Sequence, residues 1–140
     1  MEQETPQNNQ NNPNNQVNKS NVNTGLISLE IVARMNNIDI DNRAIVREFG
    51  ITTADIEPEE IIRIAKSRSF KIKKKKMSLE DIPENYPMPA ILQLKDNSYI
   101  VLLGINHEEK KALTLVPLAK SPEATDLDEL QDKIKDFITL

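Results

Sequence analysis

Asn23-Thr24-Gly25-Leu26-Ile27-Ser28-Leu29-Glu30-Ile31-Val32-Ala33-Arg34-Met35-Asn36-Asn37 reads as the start and body of one buried helix. Asn23 and Thr24 are both good cap residues, because a side-chain oxygen there can accept an orphan N–H of the first turn. Apolar residues recur at Leu26, Leu29 and Ala33, at Ile27 and Ile31, and at Val32 and Met35. That spacing makes an apolar face too wide for a helix lying on a surface. Gly25 is a poor helix former and requires another reason, such as close approach of a neighbouring element.

Outward from this stretch, the chain organises itself by composition. Residues 1–21 are rich in Asn and Gln and hold Val17 as their only aliphatic residue. Such a segment buries too little apolar surface to offset chain entropy, so it reads as a disordered, solvated tail, with aggregation as the other outcome this composition allows. Residues 22–140 are the folded domain. Asn36-Asn37 ends the first helix, and Asp41 caps a short one over 41–48. Glu57-Pro58-Glu59-Glu60 opens a third, because proline suits the first helical position and carboxylates suit the positive end of the dipole. Ile61, Ile64 and Ala65 form its buried stripe, and it runs to about Ser69.

Phe70-Lys71-Ile72-Lys73 alternates like a strand and runs into Lys74-Lys75-Lys76. The lysine run 73–76 suits either an exposed edge strand protected against sheet-to-sheet association or contact with an anionic partner; edge protection is the expectation. Ser78-Leu79-Glu80-Asp81 has capping-box spacing and predicts one helical turn. Pro83, Pro87 and Pro89 make a connector. Three strands are expected at 90–94, 99–105 and 112–116, the middle one apolar on both faces and therefore central. Short polar turns between them suit antiparallel hairpins. Thr125 and Asp128 have capping-box spacing before Leu127, Leu130, Ile134 and Phe137. Residues 137–140 fit either the end of that helix or a last strand. Helices first and antiparallel strands after predict an α+β domain with N-terminal helices packed on a mostly antiparallel sheet.

Composition excludes several function classes. The chain has 140 residues, 38% hydrophobic, with net charge −4 and a pI near 5.1. An acidic balance argues against general nucleic-acid binding. There is no cysteine, so no thiol catalysis and no Cys metal site. A single histidine, His107, leaves no His metal cluster and no Ser–His pair; it is expected in a solvent-exposed turn. No cofactor or metal is expected in the domain. No apolar run approaches the roughly 18 residues of a membrane span, and no signal peptide opens the chain.

The 23–29 stretch resembles the opening motif of papain-like peptidases that remove double-glycine leaders from bacteriocins, Asp-Cys-Gly-x-Ala-Cys-Leu. Gly25 and Leu29 match, while Thr24 occupies the place of the nucleophilic cysteine. That cysteine sits at a helix N-terminus, where the dipole and free N–H groups favour thiolate and oxyanion. The family's His-Phe-Val-Val-Leu motif is matched by Ser98-Tyr99-Ile100-Val101-Leu102, with Ser98 in the histidine's place. Its Asp-Pro is matched by Val116-Pro117, with Val116 in the aspartate's place. Met88-Pro89-Ala90-Ile91-Leu92 is similar to the family's Leu-Pro-Ala-Ile. The family's oxyanion glutamine falls on Asn18 without gaps, with Gln16 nearby.

The resemblance implies a papain-like cysteine peptidase fold that has lost its chemistry, so no catalytic residue and no enzyme activity are expected. Loss of one essential member of such a catalytic unit already costs roughly a million-fold in turnover. Degenerate domains of this kind stand at the N-terminus of type I secretion ABC transporters of the haemolysin-exporter type. The implied function is binding of an unfolded secretion substrate, of the RTX toxin or adhesin class, by a bacterial cytoplasmic domain tethered to the inner membrane by the rest of its transporter. ATP would belong to the transporter's nucleotide-binding domain. A peptide in the inherited cleft would meet Thr24, Gly25, Ser98, Tyr99 and Val116. The alternatives are a free-standing peptide-binding adaptor and a residual hydrolase using Thr24.

Overall fold

A computed structural model describes residues 23–52 and 56–140. The expectation for residues 1–21 lies outside the described residues. Helices α1 (Thr24–Met35), α2 (Asn42–Phe49) and α3 (Pro58–Ser67) come first. They are followed by strand β1 (Lys73–Lys75), a 3-10 turn (Leu79–Asp81), and strands β2 (Ala90–Leu94), β3 (Tyr99–Asn106), β4 (Lys111–Leu115) and β5 (Glu123–Asp126). Helix α4 (Leu127–Lys133) and strand β6 (Ile134–Thr139) close the order. The strands form one antiparallel sheet in the order β1-β6-β2-β3-β4-β5. The α+β architecture is as expected.

The sheet separates two apolar clusters. Helices α1–α3 cover one face, where Leu29, Ile45, Ile61 and Ile64 pack on Ile91, Tyr99, Val101 and Ile138. The 3-10 turn, the connector and α4 cover the other, where Leu79, Ile82, Leu127 and Leu130 pack on Leu92, Leu102 and Phe137. Consecutive strand residues point to opposite faces, so Ile91 and Leu92, or Phe137 and Ile138, divide between the clusters. That two-sided demand explains the apolar runs 90–92 of β2 and 99–103 of β3.

Several boundaries differ from the sequence reading, each for a tertiary reason. The last helix ends at Lys133, and Ile134–Thr139 is strand rather than helix, because β6 fills the place between β1 and β2. The first strand starts at Lys73, not Phe70. Phe70 and Ile72 are buried, but the ladder opposite reaches only to Thr139, which pairs with Lys73. β1 is the sheet's edge, which agrees with edge protection by its lysines. Neither capping box forms. The Leu79 N–H is bonded instead to Gln131 Oε1 at 2.6 Å, across 52 positions of chain. Asp126, not Thr125, caps α4 by accepting from the Glu129 N–H at 3.1 Å. Strand β5 was not foreseen; its exposed, polar residues carry no alternating pattern. Met35, expected on the buried face, is 56% exposed.

Candidate functional site

Asn23 and Thr24 both qualify as caps, and the structure divides the work between them. Asn23 Oδ1 accepts from the Leu26 N–H at 3.0 Å, so Asn23 is the cap and Thr24 is the first helical residue. The Thr24 hydroxyl is thereby available for a tertiary bond. Its Oγ1 accepts from the backbone N–H of Tyr99 at 2.9 Å. The start of α1 is thus tied to the head of β3, the strand against which α1 chiefly packs.

Gly25 explains why the two elements come so close. A Cβ there would lie 2.9 Å from Ile61 Cδ1 and 3.2 Å from two ring carbons of Tyr99. No side chain fits at that separation without displacement. The Tyr99 ring is fully buried, and its hydroxyl donates to the Ile56 carbonyl ahead of α3. One side chain therefore joins α1, β3 and the approach to α3.

Ser98 is partly buried in the β2–β3 hairpin. The Leu94 N–H donates to its carbonyl at 2.8 Å, and Asn97 takes the left-handed conformation at φ 72°. Its hydroxyl and its N–H both donate to Asp96 Oδ1, at 2.5 and 3.0 Å. These bonds, the hydroxyl first, hold the Asp96 carboxyl below its ordinary pKa. Asp96 is the site residue that sequence reasoning missed; it read only as a turn residue.

Val116 follows β4 directly. Leu115 pairs with Val101, so Val116 stands one residue further toward the head of β3, at the level of Ile100. It is 44% exposed. Leu113 and Leu118 are exposed too, and the Ala119 N–H closes a turn on the Val116 carbonyl at 2.9 Å. Leu113 points to the face that α1 covers over β2 and β3, since its neighbour Ala112 belongs to the opposite cluster.

Thr24, Ser98 and Val116 converge at one end of the sheet. Gly25 and Tyr99 stand at the same place but are buried. They lie beneath this end of the sheet rather than at its surface, where Thr24 and Ser98 are partly buried and Val116 is exposed. His107 lies past the opposite end of β3, about 25 Å of strand away. It is not the free loop residue expected: its Nε2 bonds the Ile82 carbonyl at 2.6 Å and pins the β3–β4 turn to the 3-10 segment. As donor to a carbonyl, that nitrogen carries the ring hydrogen.

A match to the model of the peptidase C39 family covers residues 13–138. The chain is 28% identical over 118 residues to the alpha-hemolysin translocation ATP-binding protein HlyB of Proteus vulgaris, which covers 84% of this chain but 16% of that protein. The chain thus spans about one sixth of that relative's length. Among solved structures, the N-terminal peptidase C39-like domain of the toxin secretion ATP-binding protein from Vibrio parahaemolyticus superposes with a TM-score of 0.73 at 24% identity, over 84% of this chain and 94% of that one. The peptidase domain of Streptococcus ComA, a bifunctional ABC transporter, gives 0.73 at 14% identity, over 84% and 90%. A double-glycine-motif protease from a peptidase-containing transporter, solved with its leader peptide, gives 0.67 at 16%, over 83% and 81%. These likenesses agree with the fold derived above, and the family match spans nearly the whole domain: the chain belongs to the peptidase C39 family.

Proposed function

We propose that this chain is a non-catalytic peptidase-like domain of a type I secretion ABC exporter. It sits on the cytoplasmic side of the inner membrane and holds the unfolded secretion substrate, an RTX toxin or adhesin, before export. The observation that carries the reading is the bond between Thr24 Oγ1 and the Tyr99 N–H. At the position of the family's nucleophile stands a hydroxyl engaged in holding the fold together. Beside it, Ser98 hydrogen-bonds Asp96, and Val116 offers no carboxylate to orient a base. The chain has no cysteine at all. A threonine hydroxyl without an adjacent base is a poor nucleophile. What remains beside the buried Gly25 and Tyr99 is the exposed Val116, with Leu118 after it, apolar surface that an unfolded chain can cover.

Two measurements on the purified chain test this. Incubation with double-glycine leader peptides, with and without added thiol, leaves them intact; turnover abolished by Thr24→Val would overturn the non-catalytic reading. Titration of the isotope-labelled chain with an unfolded fragment of the exporter's substrate shifts amides around Thr24, Ser98 and Val116. Shifts that spare all three would remove the cleft from the binding role.

A further inference from the structure

The edge of the sheet opposite β5 is an unused surface with a marked chemistry. Residues 71–76 read Lys-Ile-Lys-Lys-Lys-Lys in a chain whose net charge is −4. β1 bonds to β6 on one side only and is the terminal strand, so its outward N–H and C=O groups face away from the sheet. A groove lies along this edge on each face. Against α3, the groove is lined by Ile62, Ile72 and Leu140, with Lys66, Lys71 and Lys73 around it. On the face of α4, Met77, Ile134 and Phe137 form the floor, and Lys75, Lys76 and Lys135 the rim. Among the described residues none of these six lysines forms an ion pair. Lys74 is the one of the run that does, with Glu59 at 2.8 Å. Asp136 is the single carboxylate lining either groove.

We propose that the outer edge of β1 is a docking site for an extended acidic peptide, which adds to the sheet as one more strand beside Lys73–Lys75. An added strand points successive side chains to opposite faces. Apolar side chains enter the two grooves, carboxylates meet the lysines around them, and the peptide backbone takes the free ladder positions. Edge lysines repel a second copy of the same edge, which is their protective role. The same charges attract an edge of opposite sign. An anionic membrane would engage the lysines but would use neither the backbone groups nor two grooves on opposite faces, so a peptide is the occupant that fits. The proposal rests on the β1 edge alone and is separate from any binding at the Thr24 cleft.

The test uses the intact labelled chain and a capped octapeptide, Glu-Val-Leu-Asp-Glu-Val-Leu-Asp, whose paired residues give each face of an added strand both apolar and acidic side chains. The expected result is amide shifts over Ile72–Lys76, slowed exchange of the outward β1 amides, and loss of affinity with added salt. Three comparisons follow. The peptide with Gln and Asn replacing its acids, and the double variant Lys73→Glu/Lys76→Glu at two exposed positions, each weaken binding by about tenfold or more. N-methylation of alternate peptide amides, read on the unmodified chain, weakens it by a similar factor in whichever of the two registers removes the ladder donors. Equal binding of both methylated registers would overturn strand addition. Binding to phosphatidylserine vesicles with the same lysine dependence, and no binding of the octapeptide, would overturn the peptide in favour of a membrane surface. Shifts confined to Thr24, Ser98 and Val116 would overturn the site.

Discussion

Thr24 Oγ1 lies 2.9 Å from the backbone nitrogen of Tyr99, 75 residues later in the chain, and accepts its hydrogen bond. The bond fixes the first turn of α1 on the head of β3. Thr24→Val keeps the shape and removes the acceptor. The expected loss is about 1–2 kcal/mol of stability, while Thr24→Ser retains most of it. Urea denaturation of the three proteins measures this; a Val variant as stable as the parent would show that the bond contributes nothing.

Gly25 admits no side chain without displacing Ile61 or Tyr99. Both neighbours are fully buried, so neither can swing into solvent. Gly25→Val should cost about 3 kcal/mol through overpacking. Gly25→Ala costs less, because better helix propensity returns up to about 1 kcal/mol. The order Gly above Ala above Val in melting temperature checks the account.

Tyr99→Phe removes the hydroxyl that reaches the Ile56 carbonyl. The ring and its packing stay, and a buried carbonyl loses its donor. The expected cost is about 1–3 kcal/mol. Hydrogen exchange should quicken first in α3, whose approach that hydroxyl holds; unchanged exchange there would argue that Ile56 is held by other contacts.

Asp96 gives a pH dependence with a definite sign. Its carboxyl pKa is lowered from 3.8 by the Ser98 hydroxyl and then by the Ser98 N–H. A depressed folded pKa means stability that is present above the unfolded value and lost as pH falls through the folded one. The side chain is well exposed, so the contribution is below about 1 kcal/mol. Ser98→Ala removes the larger cause, and the Asp96 carboxyl should then titrate closer to 3.8 in an NMR pH series. No movement of that titration would place the cause elsewhere.

Gln131 of α4 caps the 3-10 turn beside it on the same face of the sheet, accepting from the Leu79 N–H at 2.6 Å. Gln131→Leu keeps the bulk and removes the acceptor. A loss of about 1 kcal/mol is expected. Exchange should quicken at Leu79 while α1 is unaffected, since the two lie on opposite faces.

The sequence by itself determined the helices, the three-stranded meander at 90–116 and the α+β class. It did so because each rests on local chemistry: an Asp41 cap, a Pro58 start, and apolar runs broken by polar turns. It also placed Thr24, Ser98 and Val116 in the family's motifs. Only the tertiary structure decided what those residues do. Whether Thr24 caps its own helix or bonds Tyr99 depends on which donor stands opposite, and that donor is 75 residues away. Whether residues 134–139 are helix or strand depends on a place between β1 and β2 that no local pattern records. Gly25 and Tyr99 are expected at a peptide because of the motifs they resemble. They are buried because α3 closes over them, and burial is a property of the assembled core rather than of either segment.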